Sequence, residues 1–500
     1  MSEHLRAFVV ITALIALAFL ISRKLFSHAV EPKFVERLFG AGYASTAVMF
    51  LSHNMWLFLA GVALVCVWGV RRFSHPLALF VFLLFLMPGY SIRVPGFGLI
   101  NWLIELNAWR VLSLMIFLPV VAQFLKNNNL PKPGVLLADK LVLAYAVYTS
   151  AMVFVHSGNF TSGMRHFAGV GIDTLLVYYV SSRGLLLKGA ERHVMSALVM
   201  AAIFLALAGS FEFGKQWLLY SSVGDALQSL PSGFQYLGRG ESLRALASSG
   251  QPIVFGYLMM VAVLATSYVK GLVRSRSQRG LLFILMGLGF VSSLSRGPWV
   301  GALIGLFVIA ALSSNPMRNM ARLTTVGVTS ALFVLLLPGG EKVIDHLPWI
   351  GSIDEGNITY REVLWKQSLL VIDKQFWTGS IGYAELQEFD ALRQGGNFVD
   401  IVNSYLGILL TFGFAGLSLS LLLLLGVVFQ QLKSILVYRI DKSEFQTYSL
   451  MLGGVLVSLV VTRWTVSSVF QIGILTTFLL GAGVACSILR RRNNNSEKIT

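Results

Sequence analysis

Seven arginines, Arg93, Arg110, Arg165, Arg239, Arg244, Arg296 and Arg361, fall at or near the ends of apolar segments, on the side where positive charge is otherwise scarce. A guanidinium at a bilayer boundary is costly without a partner. Its planar fork suits phosphate, which it grips through two parallel hydrogen bonds. Several on one face therefore point to an anionic ligand. If that ligand departs during a reaction, fixed cations would stabilise the charge that develops on it.

Other groups offer less. Asp173 lies inside the apolar run GVGIDTLLVYYV, where a carboxylate is either functional or paired, with Arg165 a candidate partner. Asp400 would serve as general base if it reached an acceptor hydroxyl. Chance placement competes with that role, because the stretch 338–402 holds ten acids: Glu341, Asp345, Asp354, Glu355, Glu362, Asp373, Glu385, Glu388, Asp390 and Asp400. His156 and His166 flank a short loop, and two histidines alone are weak evidence for metal. No base is spaced to activate Ser295. Trp299, Trp349, Trp365 and Trp377 could stack on sugars, but tryptophan also collects at membrane interfaces.

The elements that hold these residues must be membrane helices. Of the 500 residues, 56% are hydrophobic and 12% charged, and the mean hydropathy is +0.73. Soluble domains carry about 25% charged residues, so the chain is an integral membrane protein, too apolar for a soluble enzyme on one anchor. The net charge of +16 is scattered through short loops. That fits cytoplasmic loops and anionic lipid and argues against nucleic acid. Cys66 and Cys486 both sit in apolar runs and give neither a disulfide framework nor metal-ligand spacing. The start, MSEHLRAFVVITALIALAFLI, has the length of a signal peptide. It lacks a small-residue cleavage site before Ser22-Arg23-Lys24 and reads as a retained first span.

A span needs about 20 mostly apolar residues. Fourteen candidates follow: 5–22, 44–70, 76–89, 109–125, 141–156, 166–181, 193–212, 252–269, 281–295, 298–313, 323–337, 403–428, 447–465 and 469–487. Several are short, so the expectation is an all-α helical bundle with about 12–14 transmembrane helices. The stretch 23–54 is the least span-like and is compatible with an interfacial or re-entrant helix.

Lys/Arg-rich connections at 71–72, 126–132, 183–192, 270–279, 318–322, 433–442 and 490–492 alternate with poorer ones at 90–108, 157–165, 213–251, near 296 and at 338–402. Short basic loops mark the cytoplasm, which predicts both termini there. The loop 23–43, with Arg23, Lys24, Lys33 and Arg37, is an exception on the outer side. The expected organisation is helices 1–11 over 1–337, a long periplasmic loop over 338–402, helices 12–14 over 403–487 and a cytoplasmic tail over 488–500. Within the loop, REVLWKQSLLVIDKQFW predicts an amphipathic helix, with Val363, Leu364, Leu370, Val371 and Phe376 compatible with one buried face. Gly379, Gly382, Gly395 and Gly396 mark turns.

Three segments carry arginine in recurring contexts: GRGESLRALASSGQPIVFGYLMM, SSLSRGPWVGALIGL and YREVLWKQSLLVIDKQFWTGSIGY, followed by DIVNSYLGILLTFGFAGL. Arg then Gly-x-Pro and a span, Ser-Arg-Gly-x-Trp-x-Gly, Arg-x-x-x-Trp in a long loop, and Asn-Ser-Tyr-Leu with Gly-x-x-Gly-Leu come in that order. The order resembles the O-antigen ligase and O-antigen polymerase superfamily, closely over 236–420 and more loosely elsewhere. The resemblance implies a GT-C-like helical membrane fold in the bacterial inner membrane. It implies glycan transfer from undecaprenyl pyrophosphate to an acceptor sugar at the periplasmic face, with no metal or other cofactor. It makes Arg244, Arg296 and Arg361 the candidate catalytic cations; Asp400, from the chemistry above, is the candidate base. Arg239, Trp365, Asn403 and Tyr405 are candidate substrate contacts. The family's ligases have a histidine near the end of the long loop, proposed to help the acceptor. Here that stretch reads Asp400-Ile401-Val402-Asn403-Ser404-Tyr405, and the loop's only histidine is His346. That departure favours a polymerase of lipid-linked repeat units over a ligase.

Plainer roles compete. Arg296 could cap the preceding helix, Arg361 could pair with Glu362 or Asp354, and Arg244 could bind lipid headgroups. Arg93, Arg110, Arg165 and Arg239 fit headgroup or helix-end roles more readily. The glycines of GLGFVSSLSRGPWVGALIGL fit close helix packing. A lipid-linked oligosaccharide flippase is the alternative from another class, but it would carry charge in central spans and internal repeats. The partners expected are the lipid-linked glycan and membrane lipids, together with a flippase and a chain-length regulator of the same pathway.

Overall fold

The structure is a computed structural model of the full chain. It describes residues 2–98, 100–230, 234, 238–239, 242–336, 355–393, 399–438, 443–469 and 471–497. The helices are α1 Glu3–Leu25, α2 Pro32–Leu51, α3 Met55–Arg72, α4 Pro76–Leu86, α5 Ala108–Leu112, α6 Leu118–Lys126, α7 Leu137–Ser157, α8 Phe160–Val170, α9 Val177–Gly184, α10 Ala190–Lys215, α11 Val223–Ala226, α12 Pro252–Val269, α13 Arg276–Ser292, α14 Arg296–Ala311, α15 Pro316–Leu336, α16 Glu355–Lys374, α17 Ser404–Val437, α18 Glu444–Thr462 and α19 Gln471–Glu497. The π-helical segments Ser113–Phe117 and Gly171–Leu176 join α5 to α6 and α8 to α9. Two small antiparallel hairpins, β1 Ser91–Pro95 with β2 Trp102–Asn107 and β3 Gly238–Arg239 with β4 Ser242–Leu243, are the strands among the described residues.

Among the described residues, nine helices are long and apolar enough to cross a membrane, and α4 and α14 are apolar but shorter. The protein is an all-α polytopic membrane protein. Local sequence sets where helices begin. The Asn54, Asn159 and Asn403 side chains accept N–H groups from the first turns of α3, α8 and α17. Pro76 and Pro252 open α4 and α12, where a missing N–H costs nothing.

The N-terminal region differs from the sequence expectation. The run 44–70 is not one span: Ser52-His53-Asn54 breaks it, and the residues before the break belong to α2. This extra helix reverses the sense of α1. His4 bonds the Phe50 carbonyl at 2.8 Å and Glu3 accepts the Trp217 indole N–H at 2.9 Å, so the start of α1 lies beside the end of α2 and the residues that follow α10. At the other end, Arg37 donates to the Arg72 carbonyl at 2.8 Å. The basic cluster at 23–37 therefore joins Arg71 and Arg72, and the exception in the charge pattern disappears. Glu3 and Arg490, tied to Trp217 and to the end of α17 respectively, are held by different parts of the bundle. The C-terminal residues continue α19 through Glu497. Arg490 is fully buried, its Nε donating to the Ser434 and Tyr438 carbonyls at 2.9 and 3.0 Å, and so caps α17.

The core centres on α10 and α12, which are buried along most of their length, with α4 and α19 around them. Helix α14 packs along α18 through a stripe of glycines. A Cβ on Gly297, Gly301 or Gly305 would overlap Thr465, Thr462 or Ser458 in turn. Ser458 also donates to the Gly301 carbonyl at 2.7 Å. Small residues let helix backbones approach in lipid, where no hydrophobic force drives them together.

The amphipathic helix of the long loop is α16. It buries Leu364, Ser368, Val371 and Ile372, spaced for one helical face, against Phe389, Leu392, Ile401, Leu406 and Leu410. Leu370 and Phe376 instead stay largely exposed: Leu370 lies off that stripe, and Phe376 comes after the last residue of the helix. Phe376 stacks on Phe414 with ring centroids 5.1 Å apart. Gly395 and Gly396 lie outside the described residues.

Candidate functional site

The site begins at the tight break between α13 and α14. Leu294 takes φ +45°, a strained left-handed conformation for a branched residue. The break lets the chain reverse within Ser293–Ser295. The segment that follows β4 docks on it: the Ala245 N–H donates to the Ser292 carbonyl at 3.1 Å. Arg244 then lies against the break, its Nη2 3.1 Å from the Ser295 hydroxyl. Arg296 is the first residue of α14 and half-buried. A cation there opposes the helix macrodipole, so the position favours a nearby anion.

Glu212 holds this segment in place, and sequence reasoning missed it. It is fully buried near the end of α10. Its carboxylate accepts the Leu219 N–H at 3.0 Å and the Leu246 and Ala247 N–H groups at 2.8 Å. An acid at the end of a long apolar run, three residues before Lys215, was the available signal.

Asp400 comes to the same place from the long loop. The Tyr360 hydroxyl, on α16, accepts its N–H and donates to its carbonyl, both at 3.1 Å. Ser467 donates to its Oδ1 at 3.3 Å and also to the Ile401 carbonyl. Burial raises the Asp400 carboxyl above its ordinary pKa, while the Ser467 hydrogen bond and the charges of Arg361 and Arg244 pull it down. Arg361 and Arg244, far apart in sequence, thus act on one carboxylate. Gly297, packed on Thr465, ties the start of α14 to the same turn.

The expected substrate contacts divide. The Asn403 side chain caps α17, accepting the Tyr405 and Leu406 N–H groups at 2.9 and 3.1 Å. The Tyr405 hydroxyl donates to the Val460 carbonyl at 2.8 Å. Trp365 is exposed on α16, four residues after Arg361 and on the same helical face. Arg239 pairs with Ser242 in the β3–β4 hairpin, five residues before Arg244. Sequence reasoning also missed Arg463, hidden at the end of an apolar run, whose guanidinium lies 5.7 Å from the Tyr405 ring centroid.

Three of the seven arginines have other work. Arg110 grips Asp173 with Nη2–Oδ2 2.7 Å and Nε within 3.1 Å of both oxygens, so the partner of Asp173 is Arg110 and not Arg165. Arg165 donates to the Trp102 carbonyl at 2.8 Å and lies 4.0 Å from its ring centroid, with Arg93 5.3 Å from the same ring. Trp299 donates to the Phe290 carbonyl at 3.1 Å. His156 bonds the Met152 and Gly379 carbonyls, each at 2.9 Å. No group of three metal-ligating side chains occurs among the described residues. Two cavities, of about 470 Å³ beside Lys270 and Glu444 and about 360 Å³ between α7 and α8, both lie away from Asp400.

Residues 281–421 match the family model described as O-antigen ligase. The match runs from within α13 through the Ser293–Ser295 break, Arg361 and Asp400 to Leu421 in α17. It supports the O-antigen ligase and polymerase superfamily. With that family come, in general terms, glycan transfer by a membrane glycosyltransferase-like enzyme, lipid-linked glycan substrates and a multi-pass membrane setting. No curated protein matches the chain.

Proposed function

We propose that this protein polymerises polyprenyl-pyrophosphate-linked polysaccharide repeat units at the outer face of the bacterial inner membrane. The reading is supported by the charges of Arg244 and Arg361, which both act on the Asp400 carboxyl, with Arg244 also bonded to Ser295 at the break before Arg296. In this reaction an acceptor hydroxyl attacks the anomeric carbon of the donor sugar. The new glycosidic C–O bond forms as the bond to pyrophosphate breaks. Asp400 takes the hydroxyl proton, and the leaving pyrophosphate keeps the electron pair, its charge met by Arg244, Arg296 and Arg361. Trp365, four residues after Arg361, and Arg239, five before Arg244, are the proposed sugar contacts.

The side of the membrane follows from charge. The connections at 23–37, 71–72, 126–132, 183–192, 270–279, 318–322 and 433–442 are rich in Lys and Arg, and the reading assigns them to the side opposite Arg244. Basic short loops stay in the cytoplasm, so the Arg244 end and the N-terminus face the periplasm. The stretch 399–405 offers Asp400 and no histidine, which favours polymerisation over transfer to a finished acceptor. The test is a strain lacking the gene. Polysaccharide arrested as single lipid-linked repeat units supports a polymerase, and full-length polymer left on the carrier supports a ligase instead.

A further inference from the structure

Arg463 follows the last residue of α18, and its carbonyl accepts the Ser404 N–H at 2.9 Å. Its side chain is half-buried. The guanidinium lies over the Tyr405 ring, and its charge reaches Tyr145 of α7 and Tyr257 of α12. Its Nε is buried and has no hydrogen-bond partner, and no carboxylate among the described residues pairs with it. The buried arginines Arg183 and Arg490 each have bonded partners at Nε, where Arg463 has none. Arg183 holds Asp139 at 2.6 Å, and Arg490 holds backbone carbonyls. A ring face eases the cost of a buried guanidinium but leaves its N–H donors unmet.

The position adds to the argument. The turn that starts at Arg463 carries Ser467, which touches Asp400, and Thr465, which packs on Gly297. One short, well-tied turn therefore fixes Arg463 relative to Asp400 and to the start of α14. Arg463 lies on the bundle side of Asp400, among the first turns of α12 and α17 and the last of α18.

We propose that Arg463 is a second phosphate subsite, which takes the lipid-side phosphate of a lipid diphosphate while Arg244 and Arg361 face the sugar-side phosphate. This rests on the donor chemistry given above and adds to it that the protein tells lipid diphosphate from lipid monophosphate through Arg463. The unmet Nε–H is buried at the end of the membrane helix α18, the side from which a lipid-linked phosphate would enter. The tyrosine surround supplies no negative charge to compete with it.

The test uses the full-length protein in detergent and measures binding of polyprenyl diphosphate, polyprenyl monophosphate and phosphatidylglycerol. The wild type should prefer the diphosphate. Arg463→Gln should weaken diphosphate binding by about ten- to a hundredfold, the size of a charged hydrogen-bond contact. Monophosphate binding should change less than about twofold, so that the preference collapses. A second measurement needs no variant: in the wild type, polyprenyl diphosphate should protect Arg463 from phenylglyoxal and the monophosphate should not. An unchanged preference in Arg463→Gln, equal loss for both lipids, or modification of Arg463 at the same rate with diphosphate bound would overturn the subsite. Phosphatidylglycerol protecting Arg463 as well as the diphosphate would make it a headgroup anchor and also overturn it. A wild type that binds neither polyprenyl phosphate would instead overturn the donor chemistry itself.

Discussion

Gly379 and Gly413 occupy the same small space, each so close to the other's strand of backbone that neither could carry a side chain. Gly413 sits within α17 at φ +67° and ψ −171°, breaking the helix, and Gly379 lies in the loop at φ +67°. The break admits the loop. The Phe414 N–H donates to the Phe376 carbonyl and the Ser380 N–H to the Leu410 carbonyl, both at 2.7 Å. His156 and Tyr148 of α7 close the joint, bonding the Gly379 and Phe412 carbonyls at 2.9 Å. The long loop is thereby fastened to two membrane helices a short distance beyond α16, which carries Arg361.

Replacing Gly413 with Ala should therefore loosen the loop more than the bundle. The backbone conformation alone costs about 1–3 kcal/mol outside glycine, and a Cβ would also strike the Trp377 backbone. Limited proteolysis should cut residues 375–400 faster in the variant, with a lower midpoint of thermal unfolding in detergent. Wild-type protease resistance would mean that the joint does not hold the loop.

The joint also shows what was legible in the sequence. The Gly-x-x-Gly-Leu pattern marked Gly413 and Gly416 as important, but nothing local says that Gly413 breaks a helix to admit a distant strand of loop. The helices were readable because apolar runs of span length have few alternatives in lipid. The N-terminal pair α2 and α3 was not, because a break of three polar residues hardly changes the hydropathy of the run. The arginines were readable as a group. Their sorting was not: whether an arginine acts on Asp173, the Trp102 carbonyl or Asp400 depends on segments brought together from far apart in the chain.

Orientation gives the next prediction. The described geometry puts Glu3 beside Trp217 and ties Arg490 to the end of α17. With basic loops in the cytoplasm, reporters fused at the N-terminus and at Gly395 should report the periplasm, and one fused after Arg492 the cytoplasm. An N-terminal reporter on the same side as the C-terminal one would mean that α2 does not cross.

Asp400 should show a separation of stability from activity. Burial raises its carboxyl, so the folded state holds the proton more tightly than the unfolded chain. Its stabilising contribution is then present below the unfolded pKa and lost as pH rises through the folded pKa. At neutral pH the charge is a cost to folding. Asp400→Asn should keep or raise the melting temperature at pH 7 while cutting turnover by ~100- to 10,000-fold, the usual worth of a general base. The acid limb of kcat/KM in the wild type should lie above ~3.9, the ordinary aspartate value. Turnover within tenfold of wild type in Asp400→Asn would remove Asp400 from the chemistry.

The arginines separate charge from geometry. If Arg296 and Arg361 meet a departing pyrophosphate, Lys at either position keeps the charge but loses the planar fork that holds two phosphate oxygens. Losing one preorganised donor costs about 2.7–4 kcal/mol in comparable anion sites, or ~100- to 1000-fold in rate. Arg361 is exposed on α16 and Arg296 half-buried at the start of α14, so neither change opens a cavity in the core, and protein level and membrane insertion should stay normal. Chelators should leave the reaction unchanged, because phosphate charge is met by arginine in this scheme. The measurement is polymer formed from purified lipid-linked repeat units in detergent. Near-wild-type turnover in both Arg→Lys variants would reduce the two residues to headgroup anchors, and a strict divalent-metal requirement would count against an arginine-held leaving group.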